Sequence, residues 1–542
     1  MQVHLVQKQN NRQQKATQFK GAVDASLRFL ATNQGVGANL TDLSFMVIPR
    51  IATDAKRGPE ACLETARREA SGTTNHSLIG VYGLLSGLVL AGLTGINKKF
   101  GTKANSMFTA PETLNILAEN KAQQVQNQTQ QFDYLKETLS NLKAYNPTSK
   151  GADKEGFVKL SSETIDDVAK LIDNALNDKN MTYKMWSKKG ANNSIDVALN
   201  KIISNTGAES KYVLETADKK LSSTTSLKTL LEDIYKVSDS FNKDEVKKAF
   251  EDQVKNGKTI KDNAFVKKFS KFMKNRSIAG FVIGTAIGMS IQPINIYLTK
   301  LKTGSDGFVG VEGRSKDDSV GFKVLKGAAS AGFLGMTMAT LGTGFKGFMD
   351  KMAFKGFWPT ISQLKGIYGL TIISRLLAAR DKDELRESLT KDTLGFLSWL
   401  VLGDFVNRIT AESLDKSVMN RTKDIADKGF FKRIFNSTLK TRDEILIETL
   451  AQNGIETVKK DGDKTVAKTF KELMKDLDKL PEQVRKNAKK RLGTLNKAQL
   501  AGYAFSGLVL GLGIPNLNIY ITNKLDKQRK EKALKEAQLA KA

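Results

Sequence analysis

This chain is poor in the residues that most reactions and most frameworks need. Among its 542 residues there is one cysteine, Cys62, and there are two histidines, His4 and His76. A single thiol cannot close an intrachain disulfide, so a secreted disulfide scaffold is excluded. Two histidines leave little room for a His-based zinc site, or for a Ser-His or Cys-His nucleophile pair. Prolines number only 8, which argues against a loop-rich β protein and for long helices. The N-terminus MQVHLVQKQNNRQQKATQFK contains no apolar run of the kind a cleavable signal peptide needs. Walker loop, GxGxxG turn after a strand, HExxH helix and CxxC pair are all missing. No catalytic residue, metal ligand or cofactor is therefore expected.

Charge is abundant and unevenly placed. The net charge is +28, from 85 Lys and Arg against 57 Asp and Glu. Residues 101–260 hold 23 basic and 22 acidic side chains, close to balance. The excess collects in short blocks: 261–276 carries +5, 485–497 carries +6 and 524–542 carries +4. The first two directly precede uncharged segments and the third directly follows one. Basic residues in such places suit an anionic lipid surface, at about 1 kcal/mol each. The expected partners are thus a lipid bilayer and its anionic headgroups, not nucleic acid.

Three segments have the length and apolar character of a membrane span. They are Leu78–Ile96, Ser277–Thr299 and Ala498–Asn523. Gly327–Phe345 is uncharged and less apolar. Phe357–Leu377 and Thr393–Val406 are marginal, because they enclose Lys365 and Asp404. An ionisable group inside a true span is a functional candidate. Within the strong segments small residues recur every fourth position: Gly83, Gly87, Ala91 and Gly95; Gly280, Gly284 and Gly288; Gly507 and Gly511. That spacing puts them on one helix face, where two backbones can approach closely. The same faces offer a route to homo-oligomers.

Two stretches between the spans read as soluble helical inserts. In SSETIDDVAKLIDNALND, Ile165, Val168, Leu171, Ile172 and Leu176 share one face. NKAQQVQNQTQQFDYLKETLSNL reads as one polar surface helix, and KAYNPTSKGADKEG as a linker. AFVKKFSKFMK sets Phe265, Phe269 and Phe272 opposite Lys267, Lys268, Lys271 and Lys274. This is the pattern of a helix lying in the headgroup plane, with the lysines on lipid. GFFKRIFNSTLK looks similar.

QPINIYLT and IPNLNIYIT echo one another. At an offset of 223 positions Gly284 meets Gly507, Gly288 meets Gly511, Asn295 meets Asn518 and Tyr297 meets Tyr520. A second echo joins SGLVLAG from Ser86 to SWLVLGD from Ser398, each preceded by an Ile-x-Arg and a helix dense in acids and bases. In the first of these helices Arg50, Asp54, Arg57, Glu60, Glu64, Arg67, Arg68 and Glu69 crowd together, and surface salt bridges worth a few tenths of a kcal/mol are expected. The Asn-Ile-Tyr stretches close their helices, with a proline loosening the last turn. They are either interfacial anchors or, in a transporter, solute ligands at Asn295, Tyr297, Asn518 and Tyr520.

The expected fold is an all-α polytopic membrane protein with glycine-rich spans, two soluble helical inserts and a partial internal duplication. Its parts are a polar basic region 1–44, an acid-base helix and span 45–97, insert 98–263, amphipathic helix and span 264–300, membrane region 301–409, insert 410–497, span 498–523 and basic tail 524–542. The expected place is a cell membrane, bacterial and inner, crossed several times. The function read from this is a membrane-anchored scaffold working through its inserts on an unidentified protein partner. Transport through the bundle is the alternative.

Overall fold

The computed structural model describes residues 26–27, 40, 42–146, 149, 151–188, 195–208, 211–311, 315–356, 360–397, 402–421, 423–461 and 464–539. Most of the polar N-terminal region lies outside them. The fold is mostly helical, 76% by residue. Helix α1 (Ile48–Asp54) leads to Gly58, whose φ of +109° turns the chain. Pro59 then starts α2 (Pro59–Ser77), where its missing N–H costs nothing. The chain bends by 50° into α3 (Ile79–Thr94). Gly95 ends α3 in the left-handed region, at φ +58°, with nothing within 4 Å of where a Cβ would stand. It is a helix cap, not the packing residue its spacing suggested.

The first insert is not purely helical. Helices α4 (Pro111–Gln126), α5 (Gln131–Ser140), α6 (Ser162–Asn177), α7 (Ile195–Thr206), α8 (Leu227–Phe241) and α9 (Asp244–Lys255) surround a small sheet. Its strands are β1 (Leu142–Tyr145), β2 (Phe157–Lys159), β3 (Tyr212–Glu215) and β4 (Ser222–Thr225), antiparallel in the order β2-β1-β3-β4. Strands of three or four residues are too short to show alternation in sequence. The segment read as a linker therefore folds as the β1–β2 hairpin, with Tyr145 opposite Phe157. The expected single polar helix is broken as well. A capping box between Gln130 and Asp133 starts α5, which buries Tyr134, Leu135 and Leu139. On α6 the buried stripe is Val168, Ala169, Ile172 and Ala175, begun by a Ser161 cap on the Thr164 N–H.

Helix α10 (Ala264–Thr303) runs 40 residues, about 60 Å. The Asn263 side chain caps its N-terminus, and Gly304 at φ +72° ends it. Its first turns belong to the insert. Phe265, Phe269 and Phe272 are at most 4% exposed, inside the same core as Leu117, Leu135 and Phe241. The headgroup-plane reading of this stretch is thus corrected: the phenylalanines meet protein. Lys267, Lys268, Lys271 and Lys274 do face solvent. Burying each large apolar side chain contributes about 1.5–3 kcal/mol, and here that rivets the insert to the rod that enters the bundle. In GFFKRIFNSTLK the aromatics Phe430, Phe431 and Phe435 are exposed.

Pro293 does not end or loosen α10, which continues for ten more residues. A proline inside a helix orphans the carbonyl four residues back. That carbonyl, on Met289, accepts from Ser374 Oγ at 2.5 Å. Ser374 lies on α12 (Ile361–Ala378), which follows α11 (Val320–Thr340). Then come α13 (Lys382–Leu397) and α14 (Gly403–Leu414). The second insert contains α15 (Arg442–Gln452) and a hairpin of Val458–Asp461 with Lys464–Ala467. Its core includes Leu446, Leu450, Leu473, Leu477 and Leu492. The inserts touch one another: Ser204 on α7 lies 2.8 Å from Thr457, beside that hairpin. Last come α16 (Glu482–Phe505), a wide π turn at Ser506–Gly513, and α17 (Ile514–Leu539).

Two helical runs are long and apolar enough to cross a membrane, Ala264–Thr303 and Glu482–Leu539; counting the bent α2–α3 pair gives three. About a third of each apolar stretch is buried, 33% and 29%. The other three expected spans do not reach that combination of length and hydropathy among the described residues. Residues 398–401, which would join α13 to α14, lie outside the description, as do 357–359 before α12.

Candidate functional site

The glycine faces bring the bundle together. A Cβ at Gly280 would stand 3.1 Å from the Gly83 backbone, and one at Gly83 would stand 2.7 Å from Phe354. Gly87 abuts Arg276, and Ala91 packs on the edge of the insert core. Gly284 meets Ile367 and Tyr82, and Gly288 meets Thr371 and Asn75. Gly507 and Gly511 meet Phe45 and Pro49. The glycine faces are thus covered by other segments of the chain.

The paired asparagines point inward and the tyrosines outward. Asn295 and Asn518 are each 3% exposed, whereas Tyr297 and Tyr520 are 60% and 64% exposed. Asn295 Nδ2 donates to the Glu64 carbonyl at 2.9 Å, and Asn518 Nδ2 donates to the Glu387 carbonyl at 3.2 Å. Arg67 reaches Asn295 Oδ1 and Thr299, and Arg386 reaches Thr522. The asparagines fasten α10 to α2 and α17 to α13.

Most of the acids and bases on and just before α2 and α13 are buried, contrary to the surface pairs expected, although Glu60 and Lys382 are more open. Arg57 sends Nη1 to Glu387 Oε2 at 2.8 Å and Nη2 to Glu387 Oε1 at 2.5 Å. Arg380 sends Nη1 to Glu64 Oε2 at 3.2 Å and Nη2 to Glu64 Oε1 at 2.6 Å. Arg50 pairs with Glu69 at 3.2 Å, and Arg375 with Asp392 at 3.1 Å. Lys391 lies 3.6 Å from Glu69. The space left among them is about 30 Å³, lined by Arg57, Glu64, Arg68, Glu387 and Lys391 and walled by Phe308. That is room for about one water. Lys365 and Asp404, the two candidate intramembrane charges, each have a polar partner. Lys365 Nζ donates to the Thr340 carbonyl at 3.1 Å. Asp404 is more than half exposed and pairs with Arg408, which also holds the carbonyls of Ile434, Phe435 and Ser437.

A much larger space lies between the inserts. A cleft of about 1250 Å³ is bounded by the β1–β2 loop (Ala152–Lys154), by the segment around Lys416 and Met419, by α15 and by the first turns of α16. Its acids are already engaged. Asp153 accepts from the Glu155 and Phe157 N–H groups, and Asp415 accepts from that of Ser417. Burial pushes the Glu448 carboxyl up, but Lys440 at 2.9 Å and Arg491 at 2.8 Å more than offset this and hold it below its usual value. Lys154, Lys416 and Lys490 also line the cleft, and among the described residues none has a carboxylate within ion-pair distance. Sequence reading missed this cleft, since its walls come from segments more than 250 positions apart.

No protein-family model, no curated protein and no solved structure matches the chain.

Proposed function

We propose that this chain is an integral membrane protein whose bundle anchors two inserts, and that it acts as a scaffold by holding an acidic segment of a partner protein between them. The observation that carries the reading is the cleft of about 1250 Å³ between the inserts, against the space of about 30 Å³ among the buried ion pairs of the bundle. Leu93, Leu301 and Leu508 are 66–79% exposed on the three apolar helices, which lipid would cover at no cost. A cleft whose acids are engaged and whose lysines are not attracts negative charge. It lacks aromatic walls, so nothing in it would stack a nucleobase. The transport reading has less support, because Asn295 and Asn518 already bond to backbone carbonyls.

The test has two arms. The full chain should stay with membranes through a carbonate wash; release would remove the anchor. In detergent, a fluorescent poly-glutamate peptide should bind with steep salt dependence. Lys154→Glu, Lys416→Glu and Lys490→Glu together should weaken it at least tenfold. Equal binding by the triple variant would refute the cleft as the site.

A further inference from the structure

The contacts of the charged core repeat with a fixed offset. Arg57–Gly72 and Arg380–Gly395 are 323 positions apart and share one pattern: Arg, two residues, an acid, three residues, Glu, Thr or Ser, two residues, Lys or Arg, an acid, two residues, Gly. Equivalent residues make equivalent contacts. The pairs Arg57–Glu387 and Arg380–Glu64 cross between halves through the same atoms, Nη1 to Oε2 and Nη2 to Oε1. Gly72 faces the Arg375 guanidinium, and Gly395 faces that of Arg50. Asn295 holds the Glu64 carbonyl and Asn518 that of Glu387. Phe308 sits between the two equivalent arginines, 5.6 Å from Arg57 and 5.8 Å from Arg380.

From this reciprocity we infer that the bundle is a pair of like halves related by a pseudo-two-fold axis, each half serving as the other's binding partner through one self-complementary surface. The axis passes between the crossed Arg–Glu pairs at Phe308. The opening helices are exchanged: α1 packs on the π turn of the second half, and α12 packs on α10 of the first. Both inserts lie at one end of the bundle, since they touch, so the axis runs along the bundle and not across it. An isologous surface of this kind has a stringent consequence: residue i meets j wherever j meets i. This inference does not depend on what the inserts bind.

The experiment uses the full chain with a protease site inserted after Asp318, cleaved after folding. The halves should stay together in mild detergent and separate at a reproducible chaotrope concentration. Glu64→Gln and Glu387→Gln should each lower that midpoint, with effects within about twofold of one another. Arg57→Glu should lower it strongly, and adding Glu387→Arg should recover most of the loss; Arg380→Glu with Glu64→Arg should behave the same way. Should any of these reversals prevent folding, Gly72→Ala and Gly395→Ala give the milder comparison. A large effect at one member of an equivalent pair with none at the other would overturn the two-fold relation. Reversed pairs no better than single reversals would overturn the crossed latch.

Discussion

Lys121, on α4 in the first insert, is 8% exposed. Among the described residues it has no carboxylate within ion-pair distance, and its Nζ lies 5.9 Å from the Tyr134 ring. Burial, helped by Lys247, pulls its ammonium down from 10.5 to about 8. The expected free-energy consequence follows from linkage. Below pH 8 the lysine is charged both folded and unfolded, so its full desolvation cost weighs on the fold. Between about 8 and about 10.5 the folded chain sheds the proton first. The unfolded state then binds more protons, and stability rises with pH. Above that window both states are neutral and the cost is gone. A displacement of this size corresponds to about 3 kcal/mol, at about 1.4 kcal/mol per pH unit. Lys121→Met keeps the packing volume and removes the charge. It should stabilise the insert by about 3 kcal/mol at pH 7, with the gain over the parent shrinking steadily towards pH 10.5. Tyrosine and tryptophan fluorescence during chaotrope unfolding, run on both proteins across that range, measures the difference directly, because all other titrations cancel. A difference independent of pH would refute the reasoning.

The remaining expectations concern the joints between parts. Arg276 is fully buried, donates to the carbonyls of Met107, Phe354 and Gly356, and lies over the Phe108 and Phe354 rings. Arg276→Met should cost about 1–3 kcal/mol by orphaning those carbonyls, and should expose the insert–bundle junction to limited proteolysis. A stabilised or unchanged variant would mean that burying the guanidinium costs more than its contacts return. Ser374→Ala should cost about 1–3 kcal/mol in the parent chain, because the Met289 carbonyl loses its donor. It should cost little in a Pro293→Ala background, where a helical N–H takes over; a thermal double-mutant cycle reads the coupling. Gly280→Leu should prevent α10 from seating on Gly83, and a variant that melts at the parent temperature would show the close approach to be dispensable.

How much of this was legible depended on the scale of the signal. Apolar segments of twenty residues are read from composition alone, and the helices through Ser277–Thr299 and Ala498–Asn523 follow them. Close neighbours stand at Gly83, Gly87, Gly280, Gly284, Gly288, Gly507 and Gly511, but not at Gly95, where a C-cap and a packing position look identical in sequence. The β1–β2 hairpin and the break before α5 were illegible because each rests on a few backbone bonds, such as those of Asp153 and of the Gln130–Asp133 box. The phenylalanines of α10 were read with the right periodicity and the wrong medium. A helix face of Phe265, Phe269 and Phe272 answers equally to lipid and to a protein core; only the presence of Leu135 and Phe241 decides.

The repeat inferred above is the hardest feature to register, for a physical reason. Matching Ser86 to Ser398 gives an offset of 312, whereas the contacts recur at 323 in α2 and α13 and at 325 for Arg50 and Arg375. Apolar residues on an exposed helix face are interchangeable, so LVL matches LVL at many registers. A guanidinium that must meet a carboxylate in two parallel hydrogen bonds tolerates no such slip. Leaving one such buried charge unpaired costs about 3–5 kcal/mol. The spacing of charges in Arg57–Gly72 and Arg380–Gly395 is therefore constrained by three-dimensional pairing. In a chain of this kind, internal repeats are better sought through the periodicity of the ionisable residues than through the hydrophobic segments that surround them.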